Sequence, residues 1–176
     1  MLTPCQSLHK SLHFGLLLLL AALGGCQDGG MSSLLTGRPQ GMERIDKLQL
    51  VLTPPAPLNW DGRPGVDGFL ARLYCWCPLE SKLAVPVNGT LEVALYEGRC
   101  SAGELPEKKP FHVWTFRENQ TGALMSKTLF GWGYSLELGW GDHVPLSPTV
   151  TLQVRHRSRG GRVTLSDPVN VAMGPT

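Results

Sequence analysis

The sequence predicts an all-β chain folded as a two-sheet antiparallel sandwich of about seven strands, immunoglobulin-like or transthyretin-like in class. Three observations predict it. Short stretches alternate apolar and polar residues with a period of two, as a strand with one buried face is written. Turn chemistry separates nearly every pair of these stretches, and 21 glycines and 14 prolines in 176 residues favour many turns over long helices. Past residue 45 nothing reads as more than one helical turn. Half-polar sheets must bury their apolar faces on another layer, and two layers are the economical solution.

In chain order, the first feature is the uncharged run from Phe14 to Leu23, closed by Gly24-Gly25-Cys26. A spanning helix needs about 20 apolar residues, so this run is an export h-region rather than a resident membrane helix. Lys10, His9, His13 and the terminal amine precede it, and slim residues follow where a peptidase needs them. Leu23-Gly24-Gly25-Cys26 resembles the lipobox of bacterial lipoproteins. The resemblance implies that residues 1–25 are a signal peptide, that Cys26 becomes the first residue, and that its thiol carries a diacylglyceryl group. It also implies an acyl chain such as palmitate on the new amino group. Two or more chains anchor stably where a single one binds only marginally. Gln27 stands where that family places an aspartate for inner-membrane retention, so the resemblance implies a cell-membrane or outer-membrane location facing the periplasm or exterior. An ordinary secretory signal cut near Gly25, with Cys26 a spare thiol, is the alternative that leader layout alone leaves open.

Residues 26–44 are rich in Gly, Ser and Gln and read as a flexible tether; residues 45–174 read as the sandwich domain. Leu48, Leu50 and Leu52 alternate in the first strand, which Pro54, Pro55 and Pro57 stop. The loop 59–68 holds three glycines and two Asp-Gly turns. Phe69 to Cys77 is largely apolar on both faces and so predicts a central strand. Asn88-Gly89 marks a hairpin, after which Leu91, Val93 and Leu95 share one face. Gly98 to Pro110 breaks the pattern, Phe111 to Arg117 resumes it, and Ala123-Leu124-Met125 suits one helical turn. Gly131 to Leu138, Thr149 to His156 and Val163 to Val171 complete the strands, with Arg159-Gly160-Gly161-Arg162 as a turn. The succession of the 59–68 loop, Gly131-Trp132-Gly133-Tyr134 and Gly160-Gly161-Arg162 resembles bacterial lipoproteins of this size, a resemblance that implies no particular activity.

Chemistry-bearing residues are few. Sixteen basic and 14 acidic residues leave a net charge of +2, too weak a field to recruit nucleic acid. The cluster Arg155, His156, Arg157, Arg159 and Arg162 reads as a solvated hairpin. Asn59, Asp61 and Asp67 could offer oxygens to calcium, but they lack the EF-hand spacing, and Asx turns account for them without a metal. Cys75-Trp76-Cys77 invites a soft-metal reading, though the spacing is one residue short of a zinc knuckle and no second pair exists; buried structural thiols are the simpler reading. A disulfide from Cys100 to Cys75 or Cys77 is open in an exported domain. Of the tryptophans, Trp60 and Trp140 stand beside glycines and an aspartate in expected loops and are the candidates for an exposed sugar- or peptide-binding platform. Trp76, Trp114 and Trp132 sit in strand patterns, where burial is the expectation. His112, His143 and His156 meet no glycine-flanked serine elbow and no phosphate-cradling loop, and Asp142-His143 is the one polar pair of note. Asn88-Gly89-Thr90 and Asn119-Gln120-Thr121 fit the glycosylation pattern, which matters only in a eukaryotic secretory pathway.

The expectation is a membrane-anchored envelope protein, neither an enzyme nor a cofactor carrier, whose sandwich is a binding or structural module for a protein or glycan partner. The alternatives are carbohydrate or peptide recognition by loop tryptophans, and calcium binding.

Overall fold

A computed structural model describes residues 39–60 and 62–173. The expected leader, Cys26, the tether as far as residue 38, and Asp61 lie outside the described residues. Among the described residues nine strands and one short helix follow in order: β1 (Lys47–Leu52), β2 (Gly68–Trp76), β3 (Thr90–Glu97), β4 (His112–Phe116), α1 (Glu118–Leu124), β5 (Met125–Thr128), β6 (Gly131–Gly139), β7 (Thr149–Arg157), β8 (Val163–Leu165) and β9 (Val169–Ala172). One sheet has the order β1-β2-β6-β5. The other has the order β4-β3-β7-β8, with β9 also paired to β7. Every strand pairing is antiparallel, and the arrangement is sandwich-like.

The period-two pattern decides which side chains face inward. Leu48 and Leu50 of β1, Phe69, Ala71, Leu73 and Cys75 of β2, and Tyr134, Leu136 and Leu138 of β6 meet Leu91, Val93 and Leu95 of β3 and Val150, Leu152 and Val154 of β7 in one core. Each such aliphatic or aromatic side chain contributes roughly 1.5–3 kcal/mol by leaving water. β2 lies between β1 and β6, as its two apolar faces predict.

Two departures raise the count from seven strands to nine. The expected strand Val163–Val171 is two strands, because Ser166 interrupts it. The Ser166 hydroxyl accepts the Val154 N–H at 2.9 Å, and Pro168 has no N–H to give the ladder. Its two halves then pair with opposite ends of β7. β5 is the other addition. The segment 118–128, read as one weak helical turn, forms α1 and then a strand that returns on β6 through the two-residue turn Leu129-Phe130. Gln120 Oε1 accepts the Arg117 N–H at 2.9 Å and so fixes where the helix begins.

The sandwich also begins earlier than residue 45. The Met42 N–H donates to Pro86 O at 2.9 Å and Met42 O accepts from the Asn88 N–H at 3.0 Å, so the last residues of the expected tether are laid against the chain that crosses from one sheet to the other. That crossing chain is held in turn by Val85 N–H to Cys75 O and Val87 N–H to the Tyr134 hydroxyl, both at 2.8 Å. Ala84 forms a parallel bridge with Gly131. Gly131 has φ of 108°, and a Cβ there would stand 2.3 Å from Ala84 O, so the crossing depends on a residue without a side chain.

Candidate functional site

The two tryptophans expected in exposed loops have different fates. Trp140 is only 2% exposed and belongs to the core. Its N–H reaches Asp67 O at 3.2 Å, its indole donates to Val66 O at 3.0 Å, and its ring meets Phe69 edge-on at 5.2 Å. The expectation of an exposed Trp140 is therefore corrected: one residue past β6 the chain still follows the sheet, and the flanking glycines do not mark a free loop. Trp60 is 42% exposed, but its ring covers the paired glycines Gly68 and Gly139, where a Cβ would lie 2.5 and 3.2 Å from it. It caps the start of β2 and the end of β6 as a lid on bare backbone.

The Asn59 and Asp67 side chains bond within the 59–68 loop. Asn59 Oδ1 accepts from the Gly62 N–H at 2.9 Å while its amide donates to the carbonyls of Arg63 and Gly65. One Asp67 carboxylate oxygen accepts the Trp60 N–H at 2.6 Å. These are the bonds of Asx turns. Among the described residues no group of three or more His, Cys, Asp or Glu side chains is placed to hold a metal ion.

Cys75, Cys77 and Cys100 are free thiols, all buried, so the disulfide left open by the sequence does not form here. Cys75 faces the main core, whereas Cys100 packs with Tyr96 and Leu105 in a separate cluster. Burial pushes the thiols of Cys75 and Cys77 upward in pKa, toward the unreactive protonated form.

The histidines are dispersed. His112 lies against Trp114 with ring centres 4.6 Å apart, His143 is exposed in the loop after Trp140, and His156 is buried with Nε2 at 2.7 Å from Asn88 O. Since a carbonyl only accepts, Nε2 carries the proton. Burial lowers the pKa of His156. Three arginines of the same stretch are engaged by carboxylates. Arg155 stands 3.5 Å from Glu92, Arg162 3.0 Å from Asp46, and Arg159 binds Glu118 with Glu43 at 3.9 Å. Arg44, 3.2 Å away, and Arg162 hold the Asp46 carboxyl below its usual range. Asn88 donates its amide to Gly41 O at 2.7 Å, while Asn119 is exposed on α1.

The structure points instead to a groove of about 490 Å³ on the outward face of the five-stranded sheet. Its floor is Ala94 and Tyr96 of β3, Val113 of β4 and Leu165 of β8. Ala102, Leu105, Pro106 and Lys108 of the segment 98–110 form one wall. The Glu92–Arg155 pair and Gln153 close the other side. Val113 is 43% and Leu165 50% exposed, so apolar surface faces solvent.

The wall is pinned from beneath. Thr151, fully buried, accepts the Cys100 N–H at 2.9 Å and lies 2.8 Å from both Gly98 O and Asn170 Oδ1. Ser101 donates its N–H and its hydroxyl to Glu104, both at 2.7 Å, so the chain turns into the short 3-10 segment Leu105–Glu107. Lys108 Nζ lies 3.2 Å from Cys100 Sγ, a contact that raises the lysine pKa. The Phe111 N–H then returns the chain to Leu95 O at 2.7 Å. A preformed concave surface with an apolar floor and a few fixed polar groups is the usual form of a binding site. The signal for it in the sequence is faint: Ala94, Tyr96, Val113 and Leu165 occupy outward positions where polar residues are expected, opposite a pattern-breaking segment with two prolines.

The chain matches no family model, no curated protein and no solved structure. Among the described residues no helix is long and apolar enough to cross a membrane.

Proposed function

We propose that this is a lipid-anchored envelope protein whose β-sandwich is a non-catalytic binding module, with the groove over β3, β4, β7 and β8 as its recognition surface. The observation that carries the binding reading is the groove itself, with its apolar floor, its pinned wall and the Glu92–Arg155 pair at its side. Such a surface suits an extended peptide that lays small apolar side chains on the floor and sets polar groups against Glu92, Arg155 and Lys108. The anchor reading rests on Leu23-Gly24-Gly25-Cys26. The reading assigns no catalytic step.

The loop-tryptophan alternative now rests on Trp60 alone, because Trp140 is buried. Two variants separate the readings in a screen of peptide and glycan arrays. Ala94→Arg fills the groove floor and Trp60→Ala removes the platform. The groove reading expects peptide binding that falls at least about tenfold in Ala94→Arg, a loss of 1.4 kcal/mol or more, and stays unchanged in Trp60→Ala. Glycan binding that is lost in Trp60→Ala and kept in Ala94→Arg overturns it. Mass spectrometry of detergent-extracted protein tests the anchor, and a mature N-terminus other than an acylated Cys26 overturns that half.

A further inference from the structure

Large apolar side chains are exposed at both ends of the sandwich, and four of them gather at one. At the end where β2 finishes and β6 starts, Leu129 is 95% exposed, Leu79 77%, Phe130 63% and Leu83 54%. These residues belong to two turns that touch. Ala84 N–H donates to Phe130 O at 2.7 Å, Ala84 bridges Gly131, and the Leu83 side chain lies against Gly131. The projection is backed by aromatic rings, for Tyr74 meets Phe130 edge-on at 5.8 Å and Trp76 at 5.7 Å. A two-residue hairpin turn ordinarily carries Asn, Asp or Gly, so Leu-Phe at its tip is costly unless something covers it.

Two further observations say what covers it. The tip is flanked by exposed cations: Lys82 is in the same loop as Leu79 and Leu83, Lys127 is in β5 two residues before Leu129, and Lys47 reaches over the Trp76 ring at 6.0 Å. Glu80 is the single carboxylate of the 77–84 loop. Leucine and phenylalanine at the centre, lysines around them and a tryptophan and tyrosine behind are the ingredients of an interfacial lipid contact. The second observation is where the described chain begins. Met42 pairs with Val87, three residues beyond the Ala84 bridge, and Gln40 to Arg44 share a surface depression with Glu80. The N-terminal segment therefore enters the fold beside the tip. At most about 45 Å of chain separates Cys26 from Pro39.

We propose that the Leu79, Leu83, Leu129 and Phe130 tip inserts into the interface of an anionic bilayer, so that the anchored domain stands on its N-terminal end. The proposal rests on the anchored reading for its direction. The occupant is a lipid surface rather than a protein, because the tip is a pair of exposed apolar turns flanked by Lys47, Lys82 and Lys127, whereas the concave surface suited to a peptide lies on the outer face of the other sheet.

The test uses the full chain, extracted from membranes and reconstituted into phosphatidylcholine vesicles with and without phosphatidylglycerol. A single polarity-sensitive fluorophore is placed on Leu129→Cys or, as control, on Leu146→Cys. Leu146 is 94% exposed and lies in the loop at the β6 exit, where Glu97 holds its N–H. Cys75, Cys77 and Cys100 are buried, and digestion confirms the labelled site. The expected result is a blue shift and severalfold quenching by spin-labelled lipid at position 129, none at position 146, and a smaller effect after Lys82→Glu with Lys127→Glu. An unshifted label at 129, or equal quenching at both positions, overturns the proposal, and so does protection of 129 by a protein without lipid. Because mass spectrometry reports Cys26 separately, an acylated Cys26 with an unquenched 129 sinks the tip alone. An unacylated Cys26 with lipid-dependent quenching at 129 sinks the anchor and leaves the tip supported.

Discussion

The backbone N–H of Val87 donates a 2.8 Å hydrogen bond to the hydroxyl of Tyr134, both groups being buried and 47 residues apart in the chain. This bond ties the segment crossing between the sheets to the middle of β6. Tyr134→Phe should therefore cost about 1–3 kcal/mol, the penalty for leaving a buried donor unpaired, although almost no volume is lost. Urea unfolding measures it, and a change under about 0.5 kcal/mol would show that the bond is not needed.

Trp140 and Trp60 should separate in the same assay. Trp140→Ala removes a core ring together with its bond to Val66 O and should cost about 3–5 kcal/mol. Trp60→Ala exposes the Gly68–Gly139 pair but little core, and about 1 kcal/mol is expected. Equal losses would contradict the burial of Trp140.

His156 sets a pH window. Burial lowers its folded pKa from the ordinary 6.5, against the opposing pulls of Asn88 O and Glu43. The unfolded chain thus binds the proton first as pH falls. The contribution of His156 is whole above 6.5, declines as pH drops through 6.5 toward the folded value, and then levels off. Denaturation midpoints across this range should fall in the native chain and stay flat in His156→Gln. Asp46 and Glu118, held low chiefly by Arg44 and Arg159, act in a separate, more acidic window.

Gly131→Ala should destabilise by about 1–3 kcal/mol from its backbone conformation alone, with more from the contact that a Cβ makes with Ala84 O. Hydrogen exchange should localise the loosening to 83–87 and the β5–β6 turn. Uniform loosening would count against a local cause.

The layers and core faces were legible because they depend on a period of two. Leu48 and Leu50, Leu91 through Leu95, and Val150 through Val154 declare their inner face without help from neighbours. What tertiary contacts decide was not legible. β5 carries Met125, Ser126, Lys127 and Thr128, a weak strand signal that becomes a strand because β6 offers it a ladder. The break at Ser166 depends on a hydroxyl meeting Val154 across the sheet. Trp140 resembles a loop residue until Val66 and Phe69 are seen around it. The groove was hidden because segment 98–110 gains its shape from Thr151 and Asn170, more than 40 residues away.

Each outermost strand of the two sheets is short, broken or stopped. β5 has four residues, β4 five, β8 three and β9 four, and β1 runs into the prolines that follow Leu52. Among the described residues a second copy seeking to extend either ladder finds no long run of free backbone to copy, so crowding should leave these sheets separate rather than seed a ribbon of joined ones.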